Sequence, residues 1–431
     1  MYSLYVLLIR LALPFALVAD AWKSLRDPEQ RGRAVQRLGF VPVSPQPGCL
    51  WVHAVSVGEV QAAAGLLAVL RTRHPGLTVT LSTVTATGAQ RARALFGDSV
   101  CHCYLPFDTP GAVRRFLDRV RPRLALMLET EIWPALYREL RRCGVPLVIG
   151  SARLSARSVE RYHRVGALIR TTLDGDVTIG AQTAADAERF RAIGAPAARV
   201  HVTGNVKLDL QVPEQAIESG QDFRRQYACG RPVWIAGSTH EGEEEAALAA
   251  HAAVRVRHPD ALLVLVPRHP QRFEAVRAAL RKRGVGYAQR SSGGVPVAAE
   301  GVFLLDTLGE LQTFYAAADV AFVGGTLVPV GGHNLLEPAV LGLPILAGPH
   351  THNGPGIARL LGDSGALTTV RSAEDLAREV SGFFDDPPRA TAIGRRGRRA
   401  VEANRGAVDR LVALLEPLLR LPAASAPTAD G

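Results

Sequence analysis

Four glutamates each follow a candidate helix N-cap residue by three positions, where an apolar run gives way to a helix-like stretch. The pairs are Ser56 with Glu59, Ser238 with Glu241, Thr307 with Glu310, and Asn334 with Glu337. In a capping box such a glutamate satisfies a free backbone donor, so local helix capping is one interpretation of all four. A carboxylate at a helix N-terminus is also stabilised as an anion and can take a proton from a hydroxyl. Glu59, in the segment HAVSVGE, is therefore a candidate general base.

Two further acids and one lysine also follow apolar runs in the first half of the chain. Glu129 ends the run LALMLE and Glu131 follows it. Two acids at such a place are unusual as purely structural residues, so one of them can cap the next helix while the other faces a predicted cleft. Lys207, in GNVKLD, is one of three lysines among 50 basic residues. It is either an anion contact or a solvated side chain.

The second half contains residues suited to binding a phosphorylated ligand. Arg268 lies between prolines in the segment PRHP, which preorganises its guanidinium for a phosphate or a carboxylate. The segments VGGT and VGGHNLLEP place two glycine pairs around a predicted helix start, where the backbone can approach a ligand closely. Glu337 in that stretch could cap the helix or accept hydrogen bonds from ribose hydroxyls.

Several specific signatures are missing from the sequence. It has no GxGxxG after a strand, no P-loop and no GxSxG, which argues against dinucleotide oxidoreductases, P-loop NTPases and esterase-type hydrolases. Asp174-Gly-Asp176 matches a short metal-binding pattern of some sugar transferases, but it lies in a predicted turn. No group of metal-ligating residues has the spacing of a metal site. The five cysteines lack CxxC spacing and fit a reducing compartment. Because these signatures are missing, we expect neither a metal nor a cofactor.

The hydropathy pattern predicts a scaffold that gathers these residues at strand ends. From residue 50, short apolar runs alternate with amphipathic stretches, and the pattern restarts near residue 232 after a polar, irregular stretch around 210–222. Buried runs alternating with helices indicate parallel sheets covered on both faces. We predict an α/β protein of two doubly wound, Rossmann-like domains facing a cleft, over 23–215 and 216–420, with a disordered tail at 421–431. Ligands of such sheets bind beyond the carboxyl ends of the strands.

The N-terminal segment is apolar. Residues 2–19 contain one charged side chain, Arg10, and their length roughly matches that of a bilayer core. Basic residues follow this segment, and the positive-inside rule then places the rest of the protein in the cytoplasm. We predict a membrane anchor over 1–22 that either spans the bilayer or lies in its interface. A helix buried in the first domain is the alternative.

The charge of the 431-residue chain is unevenly distributed. Its net charge is +10, and residues 1–215 hold 27 basic and 17 acidic side chains, so the second half is neutral. The surplus predicts an anionic partner for the first half, such as phosphate, an acidic membrane surface or nucleic acid. An aromatic content of 6% offers few platforms for base stacking, which disfavours nucleic acid as the partner.

Nine ordered segments together resemble one family, and the resemblance covers nearly the whole chain. The segments are HAVSVGE, LETEIWP, GSARLSARS, GNVKLD, GSTHEGEEE, PRHPQRF, DTLGEL, FVGGTLVPVGGHNLLEP and GPHTHN. The family is the 3-deoxy-D-manno-octulosonic acid (Kdo) transferases of lipopolysaccharide biosynthesis. The resemblance implies a GT-B fold and an inverting, metal-independent transfer of Kdo from CMP-Kdo to the lipid A precursor, lipid IVA. It places the reaction at the cytoplasmic face of the inner membrane.

The resemblance also implies roles for individual residues. Glu59 matches the base that deprotonates the acceptor hydroxyl, and Glu129 and Lys207 match positions linked with transition-state stabilisation. The positions that match CMP-binding segments are Pro267 and Arg268, then Leu308, Gly309 and Glu310, and then Asn334, Leu335, Leu336 and Glu337. The chain departs from the family at Leu308, where Met is frequent, which a backbone contact would tolerate. It also has His352-Asn353-Gly354-Pro355 where the family commonly reads Phe-Asn-Phe.

Two other classes of function compete with this interpretation. Nucleotide-sugar epimerases and transferases for other donors use the same two-domain plan, but neither accounts for an anchor beside a basic half. A non-enzymatic protein that binds anionic lipid or nucleic acid would account for the charge, but it would have no need of Glu59.

Overall fold

Strands and helices alternate along the chain from Cys49 onward, as the hydropathy pattern predicts. The computed structural model describes residues 1–26, 32–44, 46–297 and 300–420, with the backbone alone for 23–26. The chain forms two units, and each is described by itself. The first contains Met1–Asp209 and the chain from Asn404, and the second contains Leu210–Ala403. The predicted tail at 421–431 lies outside the described residues.

The first unit is built on a parallel sheet, seven-stranded within the described residues, in the order β3-β2-β1-β4-β5-β6-β7. Its strands are β1 (Cys49–His53), β2 (Val79–Thr83), β3 (Cys101–Tyr104), β4 (Pro122–Leu128), β5 (Leu147–Ala152), β6 (Val177–Ala181) and β7 (Val200–Val202). Its helices up to Asp209 are α1 (Tyr2–Arg26), α2 (Arg33–Arg37), α3 (Val57–Arg73), α4 (Ala86–Phe96), α5 (Pro110–Val120), α6 (Pro134–Arg142), α7 (Ala156–His163), α8 (Gly166–Leu173) and α9 (Ala184–Ala192). The strand order reverses between β1 and β4, which is where ligands of open α/β sheets bind.

Both faces of this sheet are buried, which explains why its strands read as continuous apolar runs. On β1, Trp51 packs on one face with Phe116 of α5 at a ring distance of 4.7 Å. Leu50 and Val52 point to the other face and join a second cluster with Leu66 of α3. Because neighbouring residues of a strand point to opposite faces, a strand covered on both sides favours apolar residues at successive positions.

The second unit repeats the plan with a parallel sheet, also seven-stranded among the described residues, in the order β10-β11-β9-β8-β12-β13-β14. Its strands are β8 (Val233–Thr239), β9 (Leu262–Pro267), β10 (Tyr287–Gln289), β11 (Val302–Leu304), β12 (Val320–Val323), β13 (Ile345–Ala347) and β14 (Leu367–Thr369). Its helices are α10 (Glu214–Tyr227), α11 (Glu243–Arg257), α12 (Phe273–Lys282), α13 (Leu311–Ala316), α14 (Leu336–Val340), α15 (Pro355–Asp363), α16 (Ala373–Asp385) and α17 (Pro387–Ala403). The order reverses between β8 and β12.

The structure divides the chain differently from the predicted 23–215 and 216–420. The last described helix, α18 (Ala407–Leu419), packs in the first unit, where Leu411 and Leu415 are fully buried beside the residues of α3. Asp209 fixes the start of this helix because its carboxylate accepts the N–H groups of Gly406 and Val408 at 2.7 and 2.6 Å. The stretch around 210–222, expected to be irregular, is mostly helix α10.

Helix α1 is apolar, and it contacts the first unit near both of its ends. Over Tyr2–Trp22 it is long and apolar enough to cross a membrane, by length and composition alone, and 6% of its apolar window is buried. The Tyr5 hydroxyl donates to Asp108 Oδ2 at 2.6 Å, and Arg37 donates to Asp20 Oδ2 at 3.0 Å. The large exposed side chains along α1 are Leu4, Leu7, Leu8, Leu11, Phe15, Val18 and Trp22. The predicted N-terminal hydrophobic helix is therefore present, with its apolar surface uncovered.

Candidate functional site

Glu59 is a buried carboxylate at the carboxyl end of β1. Strand β1 ends at His53, and α3 begins four residues later, so Glu59 falls in the first turn of the helix. Its Oε2 accepts the N–H of Val55 at 2.8 Å, and its Oε1 accepts the hydroxyl of Ser56 at 2.9 Å. The side chain of Ser56 does not cap the helix backbone, and Glu59 accepts the N–H of Val55 and not that of Ser56, so the expected capping box is not formed. These two donors hold the carboxylate in place and leave it further lone pairs for a substrate hydroxyl.

Glu129 lies at the end of the neighbouring strand β4 in a strained backbone conformation. Its φ of 62° lies in the left-handed region, which costs a non-glycine residue about 1–3 kcal/mol and is concentrated at functional sites. The chain bends at Glu129 after β4. The N–H of Glu129 donates to Gly150 O at 3.0 Å, so the residue remains hydrogen-bonded to β5. The Glu129 carboxylate forms a hydrogen-bonded ion pair with the ammonium group of Lys207.

Lys207 reaches this pair from a short 3-10 turn, Val206–Asp209, that follows β7. The turn is held by Asn205 Oδ1, which accepts the N–H of Lys207 at 3.0 Å, and by the contacts of Asp209 with α18. A β-carbon placed on Gly58 would lie 3.8 Å from Lys207 Nζ, so the ammonium group lies beside the first turn of α3. The lysine is therefore a positioned charge at the site and not a solvated side chain.

Glu59, Glu129 and Lys207 are close enough to influence one another electrostatically. Burial raises the pKa of Glu59 above its ordinary value, and the negative charge of Glu129 raises it further. The hydrogen bonds from Val55 and Ser56 and the positive charge of Lys207 act in the opposite direction. A carboxylate whose pKa is raised from its ordinary value is a stronger base when ionised, and this suits proton abstraction near neutral pH. The structure therefore brings together the three residues that the sequence singled out as catalytic.

Glu131 is a further acid at the same edge, and the sequence left its role open. It accepts a hydrogen bond from Trp133 Nε1 at 2.7 Å, and its Oε2 lies 3.9 Å from Nε2 of the fully buried His53. Burial, with the charges of Glu59 and Glu129, raises the pKa of Glu131 to about 7. Burial lowers the pKa of His53 to about 4, so this imidazole is neutral at pH 7. Glu131 thus carries a proton over part of the physiological pH range, beside a neutral histidine.

Replacing Glu131 by Gln is expected to stabilise the protein at high pH and not at low pH. A carboxyl with a raised pKa in the folded state favours folding only while it is protonated, so stability falls as pH rises from about 4.5 to about 7. A shift of this size corresponds to at most about 3.4 kcal/mol. Gln keeps an acceptor for Trp133 but cannot ionise. Melting temperatures at about pH 5 and about pH 8 check this; an equal change at both values would contradict it.

In the second unit the predicted nucleotide-binding segments follow β9, β11 and β12 at the same edge of the sheet. Pro267 ends β9, and the N–H of Arg268 donates to Thr239 O at 2.9 Å. Gly309 follows β11 with a φ of 90°, and the exposed Leu308 precedes it. After β12, Asn334 Oδ1 accepts the N–H of Leu336 at 3.1 Å. Strand topology therefore places the three segments at one sheet edge, while direct contact with a nucleotide stays a prediction.

Helix capping accounts for some of the glutamates of the second unit and not for others. Glu241 does not cap α11; its carboxylate is exposed and pairs with Arg272, and the helix begins two residues later. Glu245 makes the capping contact instead, accepting the N–H of Gly242 at 3.0 Å. Glu310 accepts the hydroxyl of Thr307 and pairs with Arg290. The other predicted members of this set are Leu335, fully buried before α14, and Glu337, which accepts a hydrogen bond from Gln312 at 3.3 Å.

The glycine-rich stretch is fixed by an acid that the sequence analysis missed. Glu243 is fully buried, and its carboxylate accepts the N–H groups of Gly325, Thr326 and Leu327 at 2.7–2.9 Å. A β-carbon on Gly324 would lie 2.4 Å from Ser238 O, so only glycine fits where this loop passes the end of β8. Its position in the acidic run EGEEE gave no signal, because a buried acid and its exposed neighbours look alike in sequence.

No group of three or more metal-ligating side chains occurs in the part of the chain that the structure describes. Asp176 of the short DxD pattern pairs with Arg199 at 3.3 Å, and Asp174 Oδ1 accepts the N–H of Gly175 at 3.0 Å. Both carboxylates thus have local structural partners. The strand ends of the first unit offer carboxylates and a lysine, and those of the second unit offer an arginine and histidines.

Comparison with solved structures agrees with the fold prediction. The UDP-GlcNAc 2-epimerase of Neisseria meningitidis, solved bound to UDP-GlcNAc, is similar over 86% of this chain and 100% of that one, with a TM-score of 0.56 and 14% identity. A glycosyltransferase of Rickettsia africae gives a TM-score of 0.55 at 12% identity over 88% of this chain and 100% of its own. With the two doubly wound parallel sheets, these likenesses confirm the GT-B fold.

Sequence comparison identifies the family. Residues 32–210 match the family described as 3-deoxy-D-manno-octulosonic-acid transferase (kdotransferase). The chain is 39% identical to the 3-deoxy-D-manno-octulosonic acid transferase of Haemophilus influenzae, over 96% of this chain and 98% of the relative. It is 40% identical to the enzyme of the same name from Bordetella pertussis, over 89% and 90%. The chain belongs to the family of 3-deoxy-D-manno-octulosonic acid transferases.

Proposed function

We propose that this glycosyltransferase transfers Kdo from CMP-Kdo to the lipid A precursor lipid IVA, with Glu59 as the base that deprotonates the acceptor hydroxyl. The observation that carries the proposal is the buried Glu59 carboxylate beside the Glu129–Lys207 ion pair. An inverting displacement needs one base on the acceptor and stabilisation of the departing phosphate. Glu59 supplies the first, and the segments at Arg268, Leu308–Glu310 and Asn334–Glu337 are assigned to the donor.

Lys207 and Glu129 have complementary parts in this mechanism. The ammonium group of Lys207 stabilises negative charge that develops when the acceptor oxygen loses its proton and the donor bond breaks. Glu129 holds that ammonium group in position and, by its own charge, raises the pKa of Glu59. The reaction needs no metal ion in this scheme, because the charges involved are met by side chains.

The direct test is to incubate the purified full chain with CMP-Kdo and lipid IVA and to measure the mass of the lipid product. We expect a lipid heavier by Kdo residues, formed in step with release of CMP. The Glu59→Gln variant is the negative control. An unchanged lipid, under conditions where an authentic Kdo transferase is active, would refute the proposal. Conversion of a UDP-sugar in the same assay would favour an epimerase or a transferase for another donor.

We also propose that the protein sits on the cytoplasmic face of the inner membrane through α1, with the helix lying in the interface. The contacts of Tyr5 with Asp108 and of Asp20 with Arg37 lie 15 residues apart along α1, and both tie the helix to the first unit. If α1 crossed the bilayer, its two ends would lie on opposite sides of the membrane, and the rest of the first unit could contact only one of them. Arg10 is exposed in the middle of α1, where the bilayer core would penalise its charge.

Replacing Leu8, Leu11 and Phe15 together by Ser is expected to release the protein from membranes without unfolding it. These side chains are 57%, 62% and 78% exposed, so their removal leaves the packing of the first unit intact. Each buried apolar side chain contributes about 1.5–3 kcal/mol of transfer free energy, and we expect binding to anionic vesicles to weaken by at least about tenfold. Cosedimentation measures this, with Val256→Ser, 82% exposed in the second unit, as the control. Unchanged binding of the triple variant would contradict the proposal.

A further inference from the structure

Three histidines and one arginine converge at the carboxyl edge of the second sheet. His240 follows β8, Arg268 and His269 follow β9, and His333 lies in the glycine-rich stretch after β12. The rings of His240 and His333 are parallel, with an Nε2 to Nε2 distance of 2.8 Å. The ring of His269 meets that of His240 edge-on at 5.3 Å. The positive charge of Arg268 acts on all three imidazoles.

Among the described residues, one acid acts on this cluster, the buried Glu243. The guanidinium of Arg268 makes no hydrogen bond or ion pair there. The Glu243 carboxylate accepts the backbone N–H groups of His240 and of the glycine-rich stretch, and it makes no hydrogen bond to an imidazole of the cluster. Arg272 also acts on His240, and it is paired with Glu241 and Glu244. Three imidazoles and a guanidinium that is unpaired in the described part of the chain, with one carboxylate that is held by backbone N–H groups, are suited to an anionic ligand.

The two facing imidazoles carry two N–H protons when both are neutral, and three when one of them is an imidazolium. A distance of 2.8 Å between the two Nε2 atoms requires one to donate and the other to accept, and the lowered pKa values of both imidazoles make the unliganded pair neutral at pH 7. Burial, with the charge of Arg268 and the neighbouring histidines, lowers the pKa of His333 to about 3. Burial also lowers the pKa of His240 and of His269. A dianion placed against the cluster reverses this effect, because opposite charge favours the imidazolium form.

We propose that His240 and His333, together with Arg268, form an anion subsite that binds the phosphate of the nucleotide donor and of the departing nucleoside monophosphate, and that the pair gains a proton as the phosphate dianion binds. This inference rests on the proposed function, because it assigns the leaving group of that reaction to named side chains. When the bond between the sugar carbon and the phosphate oxygen breaks, its electron pair stays on that oxygen. The acceptor proton goes to Glu59, and the histidine pair takes its proton from solvent.

The test is calorimetric titration of the full chain with CMP in two buffers of different ionisation enthalpy. At about pH 7.5, above the second pKa of a phosphate monoester of about 6, CMP is a dianion. We expect the unaltered chain to take up about one proton per CMP bound, and its affinity to rise as pH falls toward 7. His333→Gln and His240→Gln are each expected to weaken CMP binding by roughly tenfold or more and to abolish most of the proton uptake. Cytidine, which lacks the phosphate, should bind both variants and the unaltered chain equally.

His163→Gln, at an exposed histidine of α7 in the first unit, is the matched control and should leave CMP binding unchanged. The melting temperature of each variant reports whether it has folded. CMP binding without proton uptake and unaffected by either substitution would overturn the inference while leaving the proposed transfer intact. Weakened binding of free Kdo with normal binding of CMP would assign the subsite to the sugar carboxylate and would also overturn it. No CMP binding by the unaltered chain would overturn both this inference and the proposed function.

Discussion

Replacing Glu59 by Gln is expected to lower the turnover of Kdo transfer by about 10²–10⁴-fold, the usual contribution of a positioned general base. Gln fits the same position because its side-chain oxygen can still accept the N–H of Val55, and its amide group can donate to the hydroxyl of Ser56. It cannot take a proton. The variant should therefore fold and bind CMP normally while the chemical step fails, which single-turnover kinetics with saturating CMP-Kdo would measure.

The matched control is Glu160→Gln, which removes an exposed carboxylate from α7 in the same unit. It should leave turnover unchanged. A Glu59→Gln variant with near-normal turnover would contradict the assignment of the base. A variant with reduced CMP affinity but normal turnover at saturation would instead indicate that Glu59 contributes to binding alone.

The pH dependence of the unaltered enzyme should reflect the same residue. Glu59 must be ionised to act as a base, so activity should fall as pH falls through its pKa. Burial and the charge of Glu129 raise that pKa, so the acid limb should lie above the ordinary carboxyl value of 4.5. Removing the charge of Glu129 lowers the pKa of Glu59 and moves the limb to lower pH, whereas removing Lys207 moves it to higher pH.

Local pattern predicted the scaffold and the strand-end positions of Glu59, Glu129 and Lys207, while their catalytic roles stay a proposal. Strands with two buried faces read as apolar runs, and Glu59, Glu129 and Lys207 each follow one. The position of a residue at a strand end does not reveal its backbone conformation or the side chains that it meets. The left-handed φ of Glu129, the near-neutral pKa of Glu131 and the facing imidazoles of His240 and His333 arise from residues far apart in the chain. The spacing of residues in the sequence does not show which distant residues come together in the fold.

The boundaries of the two units could not be predicted from local sequence pattern either. Helix α18 returns to the first unit through Leu411 and Leu415, and its apolar face would suit a core in either unit equally well. Helix α10 escaped the sequence analysis for a different reason. Its buried residue is Gly220, where a β-carbon would lie 2.2 Å from Thr313 O, so it packs on α13 through a close backbone approach. Phe223, one turn further along α10, packs on Phe314 of α13 at a ring distance of 5.0 Å, but the polar residues around it hide this apolar contact in the sequence.

Replacing Lys207 by Met is expected to be the second most damaging change, with turnover reduced by about 10²–10³-fold. Met keeps most of the length of the side chain but removes the charge. Two effects contribute, because the ammonium group both stabilises transition-state charge and lowers the pKa of Glu59. Rate measurements across pH separate them, since only the second effect is recovered at higher pH. Lys282→Met, at an exposed lysine of the second unit, is the matched control and should leave turnover unchanged.

The double variant Lys207→Met, Glu129→Gln distinguishes a catalytic lysine from one that only neutralises its partner. If Lys207 serves to balance Glu129, removing both charges restores activity, because no uncompensated carboxylate is left beside Glu59. If the ammonium group stabilises the transition state, the double variant stays as slow as Lys207→Met at its pH optimum, although its acid limb returns toward that of the unaltered enzyme. We expect the second result. Recovery of turnover to within about tenfold of the unaltered enzyme would contradict a direct role for Lys207.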